Sequence, residues 1–168
     1  MPGRMGLTTK QRKAVLRNQA SNLLWHGRIE VTAGHVQSLK SYVEKIITLA
    51  VNTYMDTVEE TVTTKDAKGK DVTKKVIKDG TKKLAARRKI MSLTYDIQFT
   101  KEAKESKAEF RARTKGINHP LIEKIFNEIA PKYAERKEQL GQGGGYTRKY
   151  LKGERRGDAA EVAIIELV

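Results

Sequence analysis

The first helix is predicted between Thr8 and Gly27 by the pattern of apolar positions and the residues that bound it. Thr8 and Gln11 have the spacing of a capping box, and Gly27 suits a left-handed C-cap. Between them, apolar residues recur at helical spacing: Leu16, Ala20, Leu23 and Leu24. The run of about 18 residues corresponds to roughly 27 Å of helix.

The strongest helical pattern follows a short alternating stretch. Ile29 and Val31 alternate with polar residues, which predicts a strand, and Thr32 is then placed to cap a second helix. The wide apolar face of that helix consists of Val36, Leu39, Val43, Ile46, Ile47 and Ala50.

Four further stretches alternate with the period of a strand. Residues 57–64 and 71–78 flank a lysine-rich turn and predict a two-stranded hairpin that projects from the body, because both arms are too polar to be buried on two faces. Residues 146–151 and 159–168 predict two strands joined by a polar turn. The last stretch has apolar residues on both faces, so we expect it to be central or well covered.

The remaining helices are predicted from their flanking residues. Thr81 is expected to cap a third helix, and residues 101–114 favour a solvated surface helix with almost no apolar face. Pro120 suits a helix start, and Pro131 is expected to end that helix. The pattern therefore predicts an α+β fold.

Composition narrows the class of protein. The chain of 168 residues has a net charge of +14 and no cysteine, which excludes a disulfide framework and a thiolate site. No apolar run reaches the length of a membrane span, and Met1 to Leu7 carries no secretory apolar stretch, so we expect a soluble, cytoplasmic protein without a membrane partner. Strong positive charge points to a polyanion such as nucleic acid.

The positive charge is concentrated in three clusters. Residues 1–28 hold six Lys or Arg and no acid, residues 65–89 hold eleven against three acids, and residues 146–157 have a net charge of +4. A disordered basic tail would instead form one terminal block without apolar periodicity. The clusters lie within foldable sequence, which indicates nucleic-acid contact by a folded surface.

Candidate chemical sites are weaker. His26, His35 and His119 lie in different elements, and none has a second ligand at metal-binding spacing. The glycines at 141–145 match neither a P-loop nor a dinucleotide fingerprint, and they precede a strand, whereas phosphate-binding loops precede a helix. We therefore expect no catalytic residue, no metal, no cofactor and no small-molecule substrate. A phosphate-handling enzyme and a sequence-independent DNA-compacting protein are the alternatives that composition leaves open.

Specific motifs then add a resemblance. The motif RKAVLRN at residues 12–18 resembles the opening helix of the L-seventeen family of bacterial large-subunit ribosomal proteins. VEKIITLA at 43–50 and AARR at 85–88 resemble its second and third helices. The C-terminal motifs match most strongly: GGYTR at 144–148, RGDAA at 156–160 and AIIELV at 163–168.

The resemblance implies a compact α+β domain over residues 1–168, with helices packed on a small mixed sheet. Two stretches have no counterpart in the short family pattern, and we interpret them as lineage-specific insertions: the basic hairpin at about 55–81 and a surface helix at about 99–117. The resemblance also implies a structural, non-enzymatic constituent of the large ribosomal subunit that binds 23S rRNA by phosphate and shape recognition near the peptide exit tunnel. Neighbouring large-subunit proteins would be secondary partners.

The candidate RNA-binding residues come from the basic clusters and their polar neighbours. The first group is Arg4, Lys10, Arg12, Lys13, Arg17, Asn18 and Arg28; the second is Arg87 and Arg88; the third is Tyr146, Thr147, Arg148, Lys149, Arg155 and Arg156. For Arg87 and Arg88 an alternative is open: one of the two forms a salt bridge inside the fold and does not contact RNA.

Overall fold

A computed structural model describes residues 6–65 and 71–168. Arg4 of the first basic cluster, and Lys68 and Lys70 of the hairpin turn, lie outside the described residues. In chain order the elements are α1 (Thr9–His26), β1 (Arg28–Thr32), α2 (Ala33–Val51), β2 (Thr57–Lys65), β3 (Asp71–Asp79), α3 (Thr81–Leu93), α4 (Lys107–Thr114), α5 (Pro120–Lys124), a π-helical turn (Ile125–Ile129), α6 (Ala130–Leu140), β4 (Thr147–Glu154) and β5 (Glu161–Leu167).

Helix α1 has the predicted boundaries. The Thr8 side chain accepts a hydrogen bond from the Gln11 backbone, and the Gln11 side chain accepts one from the Thr8 backbone, so the capping box is formed. Gly27 has φ 78° and its N–H donates to the Leu23 carbonyl. A side chain at Gly27 would be strained in this left-handed conformation, which explains the glycine.

Helix α2 is the centre of the core. Its apolar face is buried, with Leu39, Val43, Ile47 and Ala50 fully inaccessible to solvent. The helix contacts α1, α3, α6, the π-helical turn and all three strands of the larger sheet. Thr32 occupies the N-cap position as predicted, but its side chain makes no capping hydrogen bond.

The larger sheet has the strand order β1-β5-β4, with both pairs antiparallel. The α+β class is therefore confirmed, and the C-terminal strand is central as expected, but the sheet is antiparallel and not mixed. Ala163 and Ile165 of β5 are fully buried against the helices. Val162 and Ile164 alternate with them and point to the other face, where they are only half-buried.

Strands β2 and β3 form a separate two-stranded antiparallel sheet in which Thr57 pairs with Asp79. The Gly80 N–H donates to the Asp56 carbonyl at 2.8 Å and closes the base of the pair. The interpretation of this pair as an insertion relative to the family stays a prediction.

The cap of α3 differs from the prediction. Gly80 is the N-cap residue, and Thr81 is already helical. The Asp56 carboxylate accepts from the backbone N–H groups of Lys82 and Lys83 at 2.8 and 3.2 Å, so a residue distant in sequence caps this helix. A Cβ atom at position 80 would approach that carboxylate to 2.4 Å, which explains the glycine.

The surface helix is shorter than predicted. Helix α4 begins at Lys107, and residues 101–106 are outside it. Ser106 and Glu109 form a capping box at its start, a local signal that the broad helical propensity of 101–114 obscured. The helix has no buried residue, as its lack of an apolar face predicts.

Pro131 does not end the helix that begins at Pro120. The chain passes through the π-helical turn and continues as α6 to Leu140, where Gly141 adopts a left-handed C-cap at φ 65°. A proline inside a regular helix removes one hydrogen bond and clashes with the carbonyl four residues earlier. The wider turn, in which Ala130 N–H bonds the Ile125 carbonyl, accommodates the proline.

Replacing Asp56 with alanine is expected to lower the free energy of unfolding by about 1 kcal/mol, because α3 loses the acceptor of two N-terminal N–H groups. Asp56→Asn keeps an oxygen acceptor and should retain most of the stability. Urea denaturation followed by circular dichroism measures both variants. An unchanged alanine variant would remove Asp56 from the role of cap.

Candidate nucleic-acid interface

The first candidate surface is on α1 and is called the helix surface: Lys10, Arg12, Lys13, Arg17 and Asn18. Lys10, Lys13 and Asn18 are exposed, and Arg12 and Arg17 are half-buried. All five belong to one capped helix, on which Lys10, Lys13 and Arg17 share a side, whereas Arg12 and Asn18 lie on other sides. Their charged and amide groups are donors suited to phosphate oxygens.

Tyr42 is a neighbour of Arg17, one of the half-buried residues of the helix surface. The Tyr42 hydroxyl donates to the Leu93 carbonyl at 2.7 Å. Burial raises the pKa of Tyr42, although the neighbouring Arg17 guanidinium opposes this shift.

A groove of about 530 Å³ separates α1 from the start of α2. Arg12 on α1 and Lys45 on α2 lie on its walls, with Gln37 and Ser41 between them. This arrangement offers two cations and neutral donors to one polyanionic chain. Lys45 is exposed and was missed in the sequence, because it lies outside the basic clusters.

The second candidate surface is the outer sheet face, which is the side of the larger sheet opposite the buried residues of β5. The strand register places Arg28 and Arg148 on either side of Glu166. Arg28 therefore joins Arg148, whereas the sequence suggested that it extends the patch on α1. The Tyr150 hydroxyl accepts a hydrogen bond from Arg148 at 3.4 Å and raises the pKa of this guanidinium.

An ion pair crosses the outer sheet face. Lys152 of β4 bonds both carboxylate oxygens of Glu30 of β1, at 2.7 and 2.9 Å. The pair spans the central strand and fixes the direction of the Lys152 side chain. Its net charge is zero, so the positive charge of this face comes from Arg28 and Arg148.

Tyr146 and Thr147 have structural positions. Both side chains are 5% exposed. The Tyr146 ring packs on Tyr133 with centroids 4.8 Å apart, and the Tyr133 hydroxyl donates to the Tyr146 carbonyl. Thr147 donates to Glu44 at 2.9 Å. Packing against α6 and α2 removes both side chains from the surface. Their contact with RNA stays a prediction, and this burial disfavours it.

The same burial affects the hydroxyl of Tyr133. Desolvation raises the pKa of Tyr133 to about 12, and the positive charge of Arg136 opposes that shift. The tyrosine is therefore neutral at physiological pH and acts as a hydrogen-bond donor that joins α6 to the start of β4.

The other cations of the C-terminal cluster lie apart from one another. Lys149 is exposed on the opposite face of β4 from Arg148. Arg155 forms a two-bond ion pair with Asp158 at 2.7 and 2.6 Å, which lowers the pKa of Asp158 to about 2. Arg156 is exposed in the turn between the two strands.

Of the two arginines on α3, Arg87 is inside the fold. Its guanidinium bonds Asp79 at 2.7 Å and Glu123 at 2.5 Å, and it lies 5.2 Å from the centre of the Phe126 ring. It joins β3, α3 and α5. Arg88 is exposed, so of this pair Arg88 is the one accessible to RNA.

The outer sheet face contains two residues that the sequence analysis did not select. Tyr150 lies two residues after Arg148 on the same face of β4. Lys152 lies at a β-bulge, and its bond to Glu30 places it on that face as well. The basic cluster contains two tyrosines. Tyr146, which the sequence predicted as an RNA contact, is buried, whereas Tyr150 is 43% exposed.

Residues 6–65 and 71–168 contain neither a metal site nor a membrane-spanning helix. No group of three His, Asp or Glu side chains is arranged to hold a metal ion in this part of the chain. No helix there is long and apolar enough to cross a bilayer.

Comparison with known proteins identifies one family. The family model described as ribosomal protein L17 matches residues 15–168. A relative from Lachnospira eligens is 36% identical over 184 residues, covering 98% of this chain and 97% of that protein. One from Ruminiclostridium cellulolyticum is 38% identical over 194 residues and covers 100% of both chains. One from Clostridium botulinum is 36% identical over 165 residues, covering 98% and 96%. All three are named large ribosomal subunit protein bL17.

Replacing Arg148 with alanine is expected to weaken binding to a structured RNA and to reduce the slope of log affinity against log salt by about one, because one phosphate contact is lost. Arg111→Ala is the charge-matched control, since Arg111 is exposed on α4 and outside both candidate surfaces. Filter binding over a salt series measures the slopes. Equal slopes for the two variants would exclude Arg148 as a specific contact.

Proposed function

Because the chain belongs to the ribosomal protein L17 family, we propose that it is a structural protein of the large ribosomal subunit and that it binds 23S rRNA. The observation that carries this proposal is the match over nearly the whole chain to relatives named for that subunit. The role is structural, and no catalytic step is assigned. Its place of action is the ribosome in the bacterial cytoplasm.

Binding would rest on phosphate neutralisation by two separate faces. The helix surface presents Lys10 and Lys13 as freely exposed cations, and the outer sheet face presents Arg28 and Arg148. The net charge of +14 supports a large electrostatic contribution. The basic segments carry no zinc-finger, helix-turn-helix or RRM signature, so shape and backbone contacts would select the RNA.

We place the binding site near the outer end of the peptide exit tunnel, as the family resemblance implies. Two faces on different sides of one small domain would let the chain join separate rRNA segments there. Neighbouring large-subunit proteins would contact the surfaces that the RNA leaves open. The alternative, a sequence-independent DNA-compacting protein, predicts a different cellular fraction.

Sucrose-gradient fractionation of native lysate is the test of this proposal. The chain should migrate with large subunits at about one copy per subunit through moderate salt. Higher salt should release it, because affinity that rests on phosphate contacts falls as the salt concentration rises. Quantitative immunoblotting against a large-subunit protein gives the stoichiometry. Recovery in the nucleoid or free-protein fraction would overturn the proposal and favour DNA binding.

The β2–β3 pair is proposed as a basic arm that reaches a further rRNA segment. Nine-residue strands extend about 30 Å, and Lys75 and Lys78 on β3 are exposed. Lys78 bonds Glu60 on the facing strand, which leaves Lys75 as the freer of these two cations. The alternative is a solvated extension without a partner.

Replacing residues 60–76 by an Asn-Gly turn would shorten this arm and preserve its base. Asp56 and Asp79 stay in place, so the α3 cap and the Arg87 ion pair are kept. In competition with the tagged wild-type chain, we expect lower occupancy of large subunits after a salt wash. Equal occupancy of the two forms would support the solvated extension.

A further inference from the structure

The outer sheet face is open along its whole width. Helices α1 and α2 contact the strands of this sheet, and the residues that they bury are Val31, Ala163 and Ile165. On the other side, the alternate residues of the central strand are half-buried, and those of the two edge strands are exposed except for the half-buried Thr32. The described part of the chain therefore covers one side of the sheet only.

Tyr150 lies about halfway along β4, which is an edge strand of this open face. The register places Glu30, Ile164 and Tyr150 side by side across the three strands. Ile164 is half-buried and Tyr150 is 43% exposed, so an aromatic ring and an aliphatic side chain form a small apolar platform on an otherwise charged face. The Arg148 guanidinium, bonded to the Tyr150 hydroxyl, restricts the ring.

Charged groups border this platform in the next row of the sheet. Arg28 and Arg148 flank Glu166, which supplies two cationic donors and one carboxylate acceptor within one line of residues. On the opposite side, Lys152 is held by Glu30. Proteins that bind single-stranded nucleic acid combine an aromatic stacking surface with cations that contact the backbone.

Space for an adjoining group is present at the end of the face. An open pocket of about 560 Å³ is lined by Thr32, His35, Lys152 and Val162 among others. Val162 and Lys152 belong to the same face as Tyr150, so the platform and the pocket are continuous. A chain that stacks one base on Tyr150 thus has room to continue along the sheet.

We propose that the outer sheet face binds an unpaired nucleotide of RNA, with its base stacked on Tyr150 and the flanking phosphates on Arg28 and Arg148. A base inside a duplex is already stacked on both sides and cannot use this platform. The proposal rests on the proposed rRNA binding and specifies the RNA element: a loop, bulge or other unpaired segment.

The test compares two RNA probes with the full chain. One probe is a 12-nucleotide RNA without self-complementarity, and the other is the same sequence as a 12-base-pair duplex. Tyr150→Ala should weaken binding of the single strand about 5- to 100-fold and change duplex binding by no more than about twofold. Tyr150→Phe keeps the ring and should bind the single strand within about twofold of the wild type.

Leu151→Ala is the matched control. Leu151 is the next residue of β4, is 72% exposed and points to the opposite face. Truncating it to alanine therefore removes exposed apolar surface and leaves the platform intact. This control should bind both probes as the wild type does. A Tyr150→Ala variant indistinguishable from Leu151→Ala, or one that loses both probes equally, would overturn the stacking proposal.

A Tyr150→Trp variant keeps the test decisive where the alanine variant is poorly folded. It enlarges the stacking surface and should bind the single strand at least as tightly as the wild type. Single-stranded RNA should quench its indole fluorescence beyond the response of Trp25 alone, and absence of that quenching would overturn the proposal. A wild-type chain that binds neither probe nor 23S rRNA would instead contradict the proposed function itself.

Discussion

Burial of the apolar face of α2 determines the position of the other elements. Leu39, Val43 and Ile47 are fully inaccessible to solvent, and burying each such side chain contributes about 1.5–3 kcal/mol. Helix α1, the π-helical segment and the C-terminal strand each supply part of the surface that covers this helix. Because the buried apolar residues of the described chain belong to one cluster, the faces turned away from it can carry polar and charged groups.

Those free faces are the two candidate surfaces. On α1 the N-terminal cations lie beside the groove against α2, and on the sheet the arginines of β1 and β4 lie opposite the buried side of β5. The core thus fixes the spacing of the cations through the backbone of regular elements. Because regular elements hold the backbone of these cations, less conformational entropy is lost on binding, and shape can contribute to the choice of RNA.

Sequence signals within a few residues of one another predicted the structural features that depend on local interactions. The Thr8 capping box, the Gly27 C-cap, the apolar face of α2 and the central position of the last strand all follow from spacing within a few residues. Two of the three exceptions, the Asp56 cap and the burial of Tyr146, depend on residues distant in sequence. Asp56 caps α3 across the hairpin, the π-helical turn accommodates Pro131, and Tyr146 is buried because Tyr133 packs on it. Strand alternation alone does not separate Tyr150 from Tyr146, because each lies two residues from Arg148. Tyr146 differs because it precedes β4 and packs on Tyr133.

Lysine reactivity in assembled subunits tests most directly whether the helix surface and the groove beside it meet the RNA. Intact large subunits and the free chain would be acetylated under the same conditions, and each lysine quantified by mass spectrometry. We expect Lys10, Lys13 and Lys45 to be protected in the subunit, whereas the exposed Lys104 and Lys107 keep most of their reactivity. Equal reactivity of Lys10, Lys13 and Lys45 in the two samples would contradict the account.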